Sequence, residues 1–144
     1  LGDRGALALV RGLGGHGALS RLSLSSCRLA DVAVTAIGAA AYSLPSLSSL
    51  RASYNSCSSK GVTAMVQWLL ARRGARRLAS LSLDACPLGP GSAPAVASLM
   101  ERHRGLRVLS LRNTGLVNSA GALQHVISAV QASSHVTQLD LSEE

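Results

Sequence analysis

The sequence predicts an α/β fold made by laying one strand–helix unit beside the next, and three observations lead there. First, a segment recurs without gaps as LSRLSLSSCRL (19–29), LSSLRASYNSC (47–57), LASLSLDACPL (78–88) and LRVLSLRNTGL (106–116), and VTQLDLS (136–142) begins a fifth copy. Second, each copy alternates apolar and polar residues, as a strand with one buried face does, and a stretch of helical periodicity follows it. Third, the apolar complement is aliphatic: 47% of the 144 residues are hydrophobic but only 2% aromatic, with no Phe, one Trp and two Tyr. Rings fill irregular interior space. Their scarcity suits one simple layer packed again and again.

The copies start at 19, 47, 78, 106 and 136, with spacings of 28, 31, 28 and 30 residues. All fit L-x-x-L-x-L-x-x-(N/C/T)-x-L, with Ala52 and Cys57 replacing Leu in the second. Alternation puts Leu22 and Leu24 on one face, and Leu81/Leu83, Leu109/Leu111 and Leu139/Leu141 repeat the arrangement. Strands this short gain stability only by stacking, each buried Leu contributing about 1.5–3 kcal/mol before ordering entropy is subtracted.

Helices are predicted after each strand. Residues 30–41 (ADVAVTAIGAAA) give a small-residue helix with Asp31 as N-cap, and 58–73 (SSKGVTAMVQWLLARR) one burying Val62, Met65, Val66 and Leu69. Residues 92–103 (SAPAVASLMERH) take Ser92 as cap with Pro94 in the first turn. Residues 119–132 present Leu123, Val126, Ile127 and Val130 as the apolar face. Trp68, the only large aromatic besides the two tyrosines, either covers the helix layer or marks a contact with a neighbour. The alternation gives an α/β solenoid, one domain over residues 1–144.

The consensus resembles that of the leucine-rich repeat family, and its long period is similar to the ribonuclease-inhibitor-like type. The resemblance covers essentially the whole chain. It implies a curved solenoid with parallel strands inside and helices outside. It also makes residues 1–13 the back half of a truncated repeat and the chain a fragment of a longer array. In such repeats the N/C/T position (Cys27, Asn55, Cys86, Thr114) turns the chain inward and bonds backbone groups that the turn leaves unpaired. Cys57, at a leucine position, reads as a small hydrophobe.

Other motifs have plainer readings. GLGGHG (12–17) matches G-x-G-x-x-G, but it follows a helical segment and precedes a strand, the reverse of a dinucleotide-binding turn. Its glycines end a helix. GPGSAP (89–94) lacks the Lys-Ser/Thr of a phosphate loop. His16, His103, His125 and His135 are scattered and read as solvated or capping, and no C-x-x-C or triad spacing occurs. We expect no enzymatic activity, metal, cofactor or small-molecule ligand. No apolar run reaches the ~18–20 residues of a membrane span, so no membrane insertion is expected.

Function is expected in surfaces. The outward strand positions form a serine-rich lattice whose candidate contacts are Arg21, Arg51, Tyr54, Asp84, Arg112 and Asp140. Asp84 and Arg112 share a row on adjacent strands, with Asp140 diagonal to Arg112, so these charges are expected to compensate one another. The net charge is +7, from 14 Lys+Arg against 7 Asp+Glu, and Arg72, Arg73, Arg76 and Arg77 form its densest run, a basic rim. These features predict a non-enzymatic scaffold or structural subunit inside a larger assembly, holding other proteins through its rims and helices. The resemblance also implies two alternatives of other classes, a regulator of a small GTPase or an immune-type sensor. An RNA-contacting organellar subunit using the basic rim ranks behind a protein partner, because no aromatics interleave the arginines for base stacking. The three cysteines point weakly to a reducing compartment. The expected place is intracellular, cytoplasmic or cytoskeletal/ciliary, with an organelle left open.

Overall fold

In the computed structural model, residues 1–71 and 75–144 are described. Five strands, β1 (Arg21–Ser23), β2 (Ser49–Arg51), β3 (Ser80–Ser82), β4 (Val108–Ser110) and β5 (Gln138–Asp140), alternate with helices α1 (Gly2–Leu13), α2 (Asp31–Tyr42), α3 (Ser59–Leu69), α4 (Ala93–Arg102) and α5 (Ala120–Ala132). The strands form one parallel sheet in chain order, β1-β2-β3-β4-β5. The register Arg21↔Ser49↔Ser80↔Val108↔Gln138 equals the gapless alignment of the sequence copies. Each strand therefore stacks its middle leucine on the next: Leu22, Leu50, Leu81, Leu109 and Leu139. The three central ones are fully buried. The helices pack in chain order too, and the core lies between them and the leucine row.

The turn after each strand is built in the same way four times. Ser26, Tyr54, Ala85 and Asn113 occupy one repeat position, and all four take φ between 56° and 58°, the left-handed region that non-glycine residues seldom enter. The next residue points inward. Asn55 Oδ1 accepts from the N–H groups of Cys27 (3.1 Å) and Leu29 (3.0 Å). Its Nδ2 donates to the carbonyls of Leu24 (3.0 Å) and Ala52 (2.9 Å), with Ser53 at 3.3 Å. Cys86 Sγ donates to Ala52 O (3.3 Å), Cys27 Sγ to Ser25 O (3.4 Å), and Thr114 Oγ1 to Leu111 O (2.9 Å). One sequence position thus supplies the partners that a tight inward turn takes from the backbone. Cys57 is fully buried, and a hydrogen bond with Cys86, with burial added, pushes its thiol well above the ordinary value. It packs as an apolar group.

The helix starts differ from the local reading. Asp31 is the first residue of α2 and not its N-cap, which is Ala30. Its carboxylate reaches forward, accepting from Ser58 N–H (2.7 Å) and Ser58 Oγ (2.7 Å) at the start of α3. Asp3 does the same one unit earlier, accepting from Ala30 N–H at 2.8 Å. Acidic side chains near one helix start thus tie down the next. Gly61 makes room, since a Cβ there would lie 2.5 Å from Asp31 Oδ1. Ser92 is the N-cap residue of α4 as expected, but it also ends a 3-10 turn (Pro90–Ser92), and its hydroxyl donates back to Gly89 O (2.8 Å) instead of accepting a cap bond. Ser58 and Ser119 do cap α3 and α5, accepting from the N–H groups of Lys60 and Ala122.

Burial opposes ionisation of Asp31, but the bonds from Ser58, helped by Gly61 N–H and the charge of Lys60, outweigh it and hold the carboxyl below its usual 3.8. A folded value below the unfolded one stabilises the fold above the unfolded pKa. That contribution disappears as pH falls through the folded value. Asp31→Ala should therefore cost about 1 kcal/mol at neutral pH, the scale of a lost helix cap. The deficit should shrink at acid pH, below the usual carboxylate range, where wild-type Asp31 also becomes neutral. Urea denaturation of both proteins at the two pH values checks this.

Helices α3 and α5 also depart from expectation. Helix α3 ends at Leu69, and Arg72 and Arg73 of the predicted 58–73 helix lie outside the described residues. Helix α5 buries Ala122, Val126 and Ala129, whereas Leu123, Ile127 and Val130 are 40–47% exposed. Among the described residues α5 packs against α4 on one side only, so half of its apolar surface has no helix to face.

Candidate functional site

The outer face of the strands is a connected polar network at the β3–β5 side. Ser53 Oγ and Ser82 Oγ are 2.8 Å apart, and Ser53 Oγ accepts from Asp84 N–H at 3.0 Å. Asp84 Oδ1 accepts from Ser110 Oγ (2.7 Å) and from the backbone N–H of Arg112 (2.9 Å). The Arg112 guanidinium turns the other way, 3.7 Å from Asp140 and 3.5 Å from Glu144. The expected Asp84–Arg112 ion pair is therefore replaced: Asp84 is satisfied by neutral donors, and Arg112 pairs with Asp140 and Glu144. Asp140 in turn accepts from the Ser142 N–H (3.0 Å) and hydroxyl (2.8 Å). Those two bonds, with a smaller part from Arg112, lower its pKa against desolvation.

Three of the six candidate face residues stay outside this network. Arg21, Arg51 and Tyr54 are exposed and make no side-chain hydrogen bond or ion pair among the described residues. Tyr54 is 66% exposed and rides the left-handed turn, with its N–H on Asp84 O (2.7 Å). Ser53, Ser110 and Glu144, which sequence reasoning did not single out, are the links that join the charged residues. Ser53 and Ser110 belong to the outward serine rows, so their positions were visible although their bonding was not.

The rim between helix ends and strand starts is organised differently. GLGGHG lies there as expected: α1 ends at Leu13, Gly15 takes φ 76°, and β1 begins at Arg21. His16 Nδ1 accepts from the N–H groups of Ala18 and Leu19. In the corresponding turn after α4, His103 is the C-cap residue and is buried, with Nε2 2.8 Å from Ala75 O. Gly105, in the same turn as His103, lets the preceding turn approach, since a Cβ there would stand 2.6 Å from Arg76 O. Of the four arginines in the basic run, Arg76 and Arg77 are described and exposed, and Arg72 and Arg73 lie outside the described residues. Arg102 and Arg104 flank His103 and join Arg76 around a pocket of about 280 Å³. The MERHRG segment that supplies them aligns with the arginine run, a match that could have revealed the cluster.

Trp68 meets Tyr42 edge-on, ring centres 5.8 Å apart at 65°, which joins α2 to α3 while leaving the indole 40% exposed. Among the described residues no helix is long and apolar enough to cross a membrane.

The fold thus defines a parallel α/β protein of serially stacked strand–helix units, with a bonded strand face and a basic rim. No protein-family model matches the chain. It is similar to the Tonsoku-like protein of Mus musculus, 32% identical over 137 residues, which is 93% of this chain and 10% of that protein. It is also similar to the Tonsoku-like protein of Bos taurus, 33% identical over 107 residues, 74% of this chain and 8% of the relative. The chain thus spans a tenth or less of the length of these curated relatives. Among solved structures it shares the fold of leiomodin-1 actin-binding site 2, with a TM-score of 0.74 at 18% identity, over 90% of this chain and 72% of the other.

Proposed function

We propose that residues 1–144 form a leucine-rich repeat solenoid of ribonuclease-inhibitor-like type that acts without catalysis, as a protein-interaction scaffold or structural subunit of a larger intracellular assembly. The in-register leucine rows, the four identical left-handed turns and the Asn55 clasp support the repeat reading. In such stacks stability comes from neighbouring units, and extended surfaces are left free for partners. The structural likeness to a module that, by its name, binds actin agrees with a protein partner.

The observation that carries the reading is the contrast between two surfaces. The strand face beyond β2 satisfies its own polar groups, with Asp84, Ser110, Arg112, Asp140 and Glu144 bonded to one another. Groups already paired gain little from a new partner, because binding must first break those bonds. The rim arginines Arg76, Arg102 and Arg104 have no carboxylate within ion-pair distance among the described residues. Partners are therefore held through rim and helices. A second reading, RNA contact through the same arginines, is favoured by their clustering alone and lacks stacking rings beside them.

The test is purification of the full-length tagged protein from cells, with and without nuclease, at moderate salt. Defined proteins co-migrating in stoichiometric amount after nuclease treatment are expected. Binding that vanishes with nuclease would replace this reading with the RNA one.

A further inference from the structure

The spacing of the helices is uneven. Helices α2 and α3 touch closely because α2 carries Gly38, where a Cβ would lie 2.9 Å from Met65 Cα and 3.1 Å from Met65 O. Helices α3 and α4 part instead, and a groove of about 450 Å³ opens between them. Its walls are two facing helical stripes, Thr63, Val66 and Leu70 on one side and Ala95, Ser98 and Arg102 on the other. Residues four apart line one helix face, so both walls run along the helices. The small side chains of Ala95 and Ser98 leave the space unfilled. From Thr63 to Leu70 the groove is roughly 10 Å long at 1.5 Å per residue.

One end of this groove is charged. Leu70 and Arg102 also line the rim pocket, which continues to Arg76 and Arg104 with no acidic residue in its wall. A channel of mixed lining, in which Val66, Leu70 and Ala95 stand among Thr63, Gln67 and Ser98, ends at three arginines with no acidic neighbour in the wall, and it complements a short segment with apolar side chains followed by carboxylates. Guanidinium groups pair well with carboxylates, and apolar anchors seat in a groove lined by aliphatic groups. A nucleic-acid strand fits poorly, because no aromatic residue lines either part of the groove.

We propose that the α3–α4 groove and its arginine end form the docking site for an acidic–apolar segment of a partner protein. The site rests on the protein-interaction reading above and gives that reading a partner chemistry. Apolar side chains lie against Val66, Leu70 and Ala95, and carboxylates meet Arg102, Arg76 and Arg104.

Fluorescence anisotropy of a labelled peptide with a Leu-rich half followed by a Glu-rich half, titrated with the full 144-residue chain, tests it. The matching Leu/Lys peptide and a single-stranded RNA of similar length serve as comparison probes. The Leu/Glu peptide should bind, and Arg102→Glu with Arg104→Glu should weaken it at least roughly tenfold, a change of ~1.4 kcal/mol. Ser98→Trp, which fills the groove without changing charge, should weaken it as well. Arg21→Glu with Arg51→Glu, equal in charge but on the strand face, should change the affinity less than about twofold, as distant sites do. Circular dichroism verifies that each variant is folded. The proposal is overturned if the groove and strand-face variants lose affinity alike, if Ser98→Trp binds normally while folded, or if the RNA outcompetes the peptide. Failure here with proteins still co-migrating after nuclease treatment removes the groove alone, whereas loss of those proteins removes the wider reading.

Discussion

Asn55→Ala is expected to destabilise the fold by about 3–5 kcal/mol, the range in which buried groups lose all their partners at once. The side chain is only 5% exposed and uses both donors and its acceptor on backbone groups of two adjacent units. Truncation removes these bonds from the N–H groups of Cys27 and Leu29 and from the carbonyls of Leu24 and Ala52, of which Ala52 O keeps the Cys86 thiol. Asn55→Asp should be no better, since a carboxylate oxygen would face carbonyls that now receive an N–H. Asn55→Cys, which copies Cys27 and Cys86 at the same repeat position, should fall between wild type and Ala. Urea midpoints for the three variants test the order. Equal losses for Cys and Ala would mean that the loss comes from packing and not from the lost bonds.

Leu81→Ala should cost about 3 kcal/mol, within the usual range for a buried leucine truncated in a close-packed interior. Leu81 lies in the middle strand, 1% exposed, with Leu50 and Leu109 directly in register on either side. No neighbour can collapse into the gap without losing its own strand pairing. The same change at Leu139 in β5, which is half-buried and has one strand neighbour, should cost about half as much or less, in proportion to the area it hides. Denaturation of the pair reads the gradient. Equal losses would contradict a fold in which each unit is stabilised by its neighbours on both sides.

The leucine rows and the register were legible in the sequence because the stacking contacts repeat at one spacing. Aligning the copies therefore aligned the strands, down to Arg21 opposite Ser49 and Ser80 opposite Val108. The role of position 55 followed from the resemblance to leucine-rich repeats and not from the spacing alone. Helix starts were less so: a cap rule reads one segment at a time, and Asp31 works on Ser58 of the next unit. The apolar face of α5 was misread because periodicity shows which side of a helix is apolar, not whether a neighbour covers it. At the candidate site, the sequence placed Asp84, Arg112 and Asp140 on one face but paired Asp84 with the wrong atoms of Arg112. The groove between α3 and α4 left no trace in any single segment. It arises where α3 and α4 face one another across the small side chains of Ala95 and Ser98.

In the function proposed, partners are held by the rim and helices while the strand face beyond β2 bonds to itself. The most direct measurement compares two folded, charge-altered forms of the full-length protein for retention of its co-purifying partner. One carries Asp84→Arg with Arg112→Asp, and the other carries Arg76→Glu, Arg102→Glu and Arg104→Glu. The strand-face form should keep the partner and the rim form should release it. Release by the strand-face form, with the rim form still bound, would contradict the account.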